Sequence, residues 1–357
     1  MKPTIRFDTL FGQFANPGSP GASAMVIHRG EIIFARGFGL ADLERQIPCS
    51  VETNFRLASL TKSFTAMAVM ILNEQKKLSL DERLPDFFPE FPAYGSAIKL
   101  RHLLNHTSGL LDYEDLIPTG TRIPVRDRDV LCLLMEQPDT YFAPGSSYRY
   151  SNSAYALLAL VVESRSGQTL ARFLQQNIFH PLGMHHTLAY EAGLSVVPNR
   201  AFGYSVAQSG YRRTDQSLTS SVLGDGGVYS SVSDLFRWDQ ALYTEQLISR
   251  ESLRRIFKPA VPTDLPRTGY GMGWFIGRYR GAKEIWHHGE TIGFRARIAR
   301  FPAKRFTAII LANQTEAQLD RLPHRMADLY FSGRDQTRNW TNRDGIRRVT
   351  RRIAGES

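Results

Sequence analysis

Strand-like patterns sit at both ends of this 357-residue chain and helix-like patterns fill its middle, and that arrangement constrains its fold more than any other feature. Near the start, residues 24–38 read as two apolar runs around His28-Arg29-Gly30, which predicts an antiparallel hairpin. Late in the chain, 273–278, 284–287, 294–301 and 306–312 read as four short strands, with Pro302-Ala303-Lys304-Arg305 as the turn between the last two. Between these ends, 59–75 carries Phe64, Met67, Ala68, Ile71 and Leu72 at helical spacing, which predicts an amphipathic helix. Residues 154–164 and 232–243 predict two more, the second with Asp234 near its positive end. One sheet built from both ends, with a helical insertion, is the economical architecture. The expected class is α/β (α+β), with an antiparallel sheet. The expected division is a sheet domain from 1–80 and 217–332, a mostly helical insertion over 81–216, and a basic polar tail over 333–357.

Composition narrows the function classes. With 42% hydrophobic and 22% charged residues the chain has an ordinary globular balance, which argues against a disordered or fibrous protein. The net charge is +10, but much of the excess lies in seven arginines between Arg334 and Arg352 rather than in a basic stripe interleaved with aromatics. Nucleic acid is therefore not an expected partner. Cys49 and Cys132 form neither a CxxC nor a disulfide framework and read as unpaired thiols, with a single bridge left open. The start, MKPTIRFDTLFGQF, lacks the apolar stretch of a secretory leader, and no run of eighteen apolar residues occurs. The expected location is cytoplasmic, or periplasmic if a leader has been removed, with no integral membrane segment.

Three short patterns carry possible chemistry. In Ser59-Leu60-Thr61-Lys62 a hydroxyl at a helix start has an amine three residues on, hence on the same face. A serine hydroxyl needs a nearby base, and a lysine serves if burial or a neighbouring cation lowers its pKa. In Tyr150-Ser151-Asn152 a phenol that can shuttle a proton stands beside an amide that can both donate and accept. In His287-His288-Gly289-Glu290 a glycine at the end of a predicted strand lets a ligand approach the strand edge. The His287 ring would then supply a donor or a proton near the reacting centre. Each pattern has a plain structural reading: an exposed helix start, an N-cap with a packing tyrosine, two histidines in a turn. A second S-x-x-K, Ser96 to Lys99, reads as a chance match ahead of a helix. His102 and His106 have the four-residue spacing of helix-borne zinc ligands, but HLLNH lacks the glutamate of that motif, so no metal is expected. The chain has no G-x-S-x-G, P-loop or Rossmann glycine pattern.

The order S-x-x-K, Y-x-N, H-x-G resembles the class C branch of the serine β-lactamase and penicillin-binding-protein superfamily, with its esterase and D-peptidase relatives. Other stretches look like the same family. Phe55-Arg56-Leu57-Ala58 runs into Ser59, and residues 102–110 resemble its L-L-x-H-T-S-G-L stretch. Pro144-Gly145 precedes Tyr150, and the stretches Gly226-Gly227-Val228-Tyr229-Ser230 and Gly269-Tyr270-Gly271-Met272-Gly273-Trp274 also match. The resemblance implies a five-stranded antiparallel sheet flanked by terminal helices, an inserted helical domain, and an active site between the two. It implies that Ser59 forms an acyl-enzyme, that Lys62 and Tyr150 move the proton, and that the backbone N–H groups of Ser59 and Glu290 form the oxyanion hole. Asn152 would orient the acyl side of the substrate. Two departures bear on substrate. His287 stands where β-lactamases usually carry a permanent lysine cation, which lowers the expectation of strong β-lactamase activity. Glu290 would either select for an amine or point to solvent. Arg295, near the same edge, would clamp a carboxylate or be an ordinary strand residue. The expected function is a serine hydrolase of small ester, amide or short peptide substrates, of carboxylesterase or D-amino-acid peptidase type and without a cofactor. The alternatives are a weak β-lactamase or penicillin-binding protein, and a non-catalytic binding protein on the same fold.

Overall fold

The computed structural model of the protein describes residues 6–332. The basic tail expected over 333–357 lies outside the described residues.

The hairpin predicted near the start is β1, Ala22–His28, and β2, Glu31–Phe38, turning at Arg29 and Gly30 with φ of 55° and 84°. Two successive residues at positive φ match the twist of the paired strands. Six further strands complete one sheet: β3, Val261–Pro262; β4, Gly269–Tyr270; β5, Phe275–Tyr279; β6, Ala282–Thr291; β7, Phe294–Phe301; and β8, Phe306–Ala312. Their order is β3-β4-β5-β6-β7-β8-β1-β2, every neighbour antiparallel. The sheet has eight strands rather than five, because β5 and two short strands extend it beyond β6. The N-terminal β1 pairs with the C-terminal β8 along its whole length, Ala22 facing Ala312 and His28 facing Phe306. Both ends of the chain thus meet in one sheet.

Two cores form, one on each face. On the outer face Phe7, Phe11 and Phe14 of a kinked 3-10 segment, Phe7–Phe14, pack with Met326 and Tyr330 of the helix Leu322–Ser332 against Phe301, Phe306 and Ile310. The resemblance implied terminal helices there; the first is 3-10 rather than α. On the inner face Ile285, Ile298, Ile309 and Leu311 pack against α1, Lys62–Glu74, with α2, Asn152–Ser166, in the same core. Every residue of α1 from Lys62 to Leu72 is buried, so it is not the amphipathic helix that its spacing predicted. It lies between the sheet and other helices, where no face meets water.

The helix α2 starts where Ser151 accepts the Ala154 N–H at 3.1 Å and stops at Gly167, whose φ of 70° is a left-handed cap. A third helix, α3, Val232–Ala241, is capped by Ser231. Its Asp234 carboxylate accepts from the His186 N–H and the Thr187 hydroxyl, so it ties two segments together besides sitting near the positive helix end. Ser96-to-Lys99 leads into the short helix Leu100–Leu104, with Lys99 paired to Asp81. Cys49 and Cys132 are both free. Among the described residues no helix is long and apolar enough to cross a membrane.

Candidate active site

Ser59 lies in a 3-10 turn, Ala58–Thr61, that runs straight into α1. Ala58 has φ of 47°, a conformation costly for a residue with a Cβ, so the backbone is strained immediately before Ser59. The turn is held from several sides. The Leu57 N–H donates to the Val228 carbonyl at 2.8 Å, and the Val228 N–H donates to the Thr61 hydroxyl at 3.1 Å. Buried Arg56 donates to the carbonyls of Gly226 and Ser220 and to Gln216, which fixes the loop carrying Asp225. Asp127 anchors the other end of that loop by accepting from the N–H groups of Leu223 and Gly224.

Lys62 begins α1, three residues after Ser59, and its ammonium is fully buried. It donates to Ser59 Oγ at 3.0 Å, to Asn152 Oδ1 at 2.8 Å and to the Asp225 carbonyl at 3.0 Å. Three protons meet three acceptors, and Tyr150 presents its ring face 4.9 Å from the amine. Burial pushes the Lys62 pKa down to about 8, while the carboxylates of Asp225, Glu114 and Asp112 pull it back upward. The spacing of S-x-x-K, read as bringing both groups to one face, does so here.

Tyr150 precedes the Ser151 cap of α2, and its hydroxyl is buried without a hydrogen bond of good geometry. Ser59 lies near enough to favour the phenolate, but burial dominates, and with Asp225 and Asp112 it holds the phenol well above its ordinary range. Asn152 accepts from Lys62 through its oxygen and donates through Nδ2 to Glu114 at 3.3 Å. The resting site is thus a protonated or neutral amine beside a neutral phenol.

The third pattern lies inside β6 rather than at its end. β5 pairs with β6 only as far as Trp286, opposite Phe275, so residues 287–291 turn that edge toward the Ala58–Thr61 turn. A Cβ at Gly289 would overlap the Leu57 carbonyl and come within 3.3 Å of Ala58 Cβ. Only glycine lets this strand lie so close to the Ala58–Thr61 turn; the neighbour here is backbone, where a ligand was expected at the strand edge.

The His287 side chain departs from expectation, and the placement of Arg295 bears on the two readings left open for it. The His287 ring is fully buried, and both nitrogens are taken: Nδ1–H donates to the His288 carbonyl at 2.6 Å, so Nε2 accepts from the Tyr270 hydroxyl at 2.9 Å. It offers neither a donor nor a proton to a reacting centre. Burial and the neighbouring His288 keep its pKa well below the usual histidine range. The Arg295 side chain lies away from Gly289. Strand alternation puts Glu290 and Arg295 on the opposite face of the sheet from Gly289, cross-strand partners of each other. Arg295 donates to the carbonyls of Thr291 and Phe294 and lies 4.0 Å from the Glu290 carboxylate, which is 54% exposed. The solvent reading of Glu290 fits this placement; its backbone, not its side chain, borders the site.

Sequence reasoning missed three residues. Asp225 supplies the third acceptor for Lys62, while its carboxylate accepts from the Tyr113 hydroxyl at 3.1 Å. Glu114 reaches Asn152 from the short helix Tyr113–Leu116. His106 receives the Ser151 N–H on Nδ1 and stacks on the Tyr150 ring at 4.3 Å. No local pattern flags the first two; the third was visible as the histidine of the family-like 102–110 stretch and as a possible metal ligand, but not as a neighbour of Tyr150. Instead, His102 Nδ1 accepts the Lys99 N–H, and among the described residues no group of three or more His, Cys, Asp or Glu side chains could hold a metal ion.

The model of the Beta-lactamase family matches residues 7–331. The chain belongs to that family. It is 33% identical over 323 residues to a penicillin-binding protein of Bacillus subtilis, covering 86% of this chain and 71% of that protein. It is 27% identical over 309 residues to a D-aminopeptidase of Gluconobacter oxydans, covering 84% of this chain but only 57% of that relative, so the chain spans little more than half its length. A penicillin-binding protein from Bacillus halodurans has a similar structure, with a TM-score of 0.77 at 28% identity, covering 92% of this chain and 98% of that one. The family is the one the motifs resemble, and the expected serine-hydrolase class agrees with it.

Proposed function

We propose that this protein hydrolyses ester or amide bonds of small acyl donors through an acyl-enzyme on Ser59. The observation that carries the reading is the buried Lys62 amine, 3.0 Å from Ser59 Oγ with its pKa pushed down to about 8. A neutral Lys62 takes the Ser59 proton as Oγ bonds to the acyl carbon. The Ser59 and Glu290 N–H groups receive the developing oxyanion. Tyr150 passes a proton between Lys62 and the leaving oxygen or nitrogen, and the acyl–leaving-group bond breaks. Water then bonds to the acyl carbon while giving a proton to the same pair, the acyl–Oγ bond breaks, the pair returns that proton to Ser59 Oγ, and the acid leaves. In the same reading 81–216 is an inserted unit on the sheet domain of 1–80 and 217–332, and substrate enters between them.

Within that class the acidic rim favours acyl donors bearing a free ammonium, as in amino-acid amides, esters and short peptides. Asp112, the N-cap of the short helix Tyr113–Leu116, and Glu114 in its first turn both act on Lys62, and Glu114 already contacts Asn152, the proposed guide of the acyl side. The name of the D-aminopeptidase relative brings D-configured residues into this proposal. His287, neutral and sealed, gives no cation to a substrate carboxylate, which argues against β-lactams as good substrates.

Intact-protein mass spectrometry tests the reading with a fluorophosphonate, a p-nitrophenyl ester, a D-alanyl ester and a penicillin, on wild type and Ser59→Ala. The expected result is an adduct in the wild type that the variant lacks, with penicillin the slowest to turn over. Undiminished ester hydrolysis by folded Ser59→Ala overturns it.

A further inference from the structure

We propose that His106 is the positioning residue of Tyr150, holding the main chain on both sides of that tyrosine while packing on its ring. This inference rests on the reading of Tyr150 as proton carrier. The Arg149 N–H donates to the His106 carbonyl at 3.0 Å. The Ser151 N–H donates to His106 Nδ1 at 3.1 Å. The two peptide N–H groups that flank Tyr150 in sequence are therefore fixed by one residue of a distant loop. Between them the imidazole lies 4.3 Å from the Tyr150 ring centre, tilted by 36°. Tyr270 at 4.4 Å and Tyr155 at 5.1 Å also pack on the imidazole.

The loop is shaped around this grip. His106 has φ of 60°, where few residues other than glycine are found, and its side chain is fully buried. Because Nδ1 accepts, the neutral ring carries its proton on Nε2, and that nitrogen finds no hydrogen-bond partner among the described residues. A buried donor is left unpaired while Nδ1 is spent on a main-chain N–H, a trade that packing alone does not require. Tyr150 needs the support. Its hydroxyl has no good hydrogen bond among the described residues, so the place of the phenol is set by its backbone and its ring contacts. A displacement of about 1 Å at a proton-transferring group costs on the order of 100-fold in rate.

Two variants separate this role from plain core packing. His106→Asn keeps an acceptor near the Nδ1 position and tolerates positive φ, but fills less volume. His106→Leu fills the volume and has no acceptor. Positioning predicts that Leu lowers kcat on a p-nitrophenyl ester about 100-fold with KM within two-fold, while Asn stays within about ten-fold of wild type. A packing role predicts the reverse order, and kcat for Leu equal to or above that for Asn overturns the inference. If the leucine variant does not fold, His106→Gly, unstrained at this φ, takes its place in the Tyr150→Phe comparison that follows, because its rank against Asn would not separate positioning from packing. In a Tyr150→Phe background the His106 substitutions should cost little further kcat; an undiminished cost overturns the inference. Full activity of Tyr150→Phe alone overturns the reading of Tyr150 and this inference with it. Loss in Tyr150→Phe with unchanged kcat in His106→Leu overturns this inference alone.

Discussion

The Lys62 ammonium has three protons and three acceptors, so its protonated form is well housed even without water. What keeps its pKa from falling further is the carboxylate group around it, with Asp225 the largest contributor. Asp225→Asn removes that charge and leaves an oxygen for Tyr113. The Lys62 pKa then drops below about 8. The neutral amine is more populated at neutral pH, so the acid limb of kcat/KM moves to lower pH. A pH–rate profile of the variant checks this; an unmoved limb means that another group titrates there. Glu114 belongs to the same scale. Its replacement by Gln should raise KM for D-alaninamide roughly five-fold, the worth of an exposed ion pair, and leave KM for p-nitrophenyl acetate unchanged. At this scale the sequence showed Ser59, Lys62, Tyr150 and Asn152 because fixed short spacings bring each pair together. Asp225 and Glu114 join the site only through the packing of separate segments, which no spacing records, and His106 was marked only by the stretch 102–110 and not by any spacing to Tyr150.

At the scale of elements, β6 is held against the Ser59 turn by the absence of a side chain at Gly289. Gly289→Ala forces the strand and the turn apart, and with them the two N–H groups proposed to hold the oxyanion. The expected outcome is a loss of about 100- to 1,000-fold in kcat, with less fluorophosphonate labelling and a lower Tm. The strand pattern of β6 and β7 was legible, but the face was not. Alternation says that Glu290 and Arg295 share a side; only the packing of Leu322–Ser332 on that side shows that it is the outer one. The same limit explains α1. Its apolar spacing is real, yet its polar positions, Lys62, Ser63 and Thr65, are also buried and find partners in Ser59, the Leu60 carbonyl and the Gly224 carbonyl.

On the scale of the whole molecule, the inner helices are bound to the sheet by more than apolar contact. Arg300 of β7 and Asp239 of α3 form an ion pair at 2.6 Å with each side chain 1% exposed, and Thr307 donates to the same carboxylate. Asp239→Ala strands the guanidinium in the core and should cost about 3–5 kcal/mol, read as a lowered denaturation midpoint with kcat of the folded fraction intact. The two-ended sheet was legible because its strands flank the helical stretch; its eight-strand width was not, since Val261–Pro262 and Gly269–Tyr270 are too short to show a period. That two-ended sheet also sets a timetable for a ribosome. Ala22 is paired by Ala312, so about 290 residues are made between the first strand and its neighbour. At roughly 5–20 residues per second that is about 15–60 s, during which an apolar strand has emerged with one flank uncovered. A newborn chain of this protein must be shielded for that interval, and a stop codon even shortly before residue 306 leaves the whole sheet unclosed.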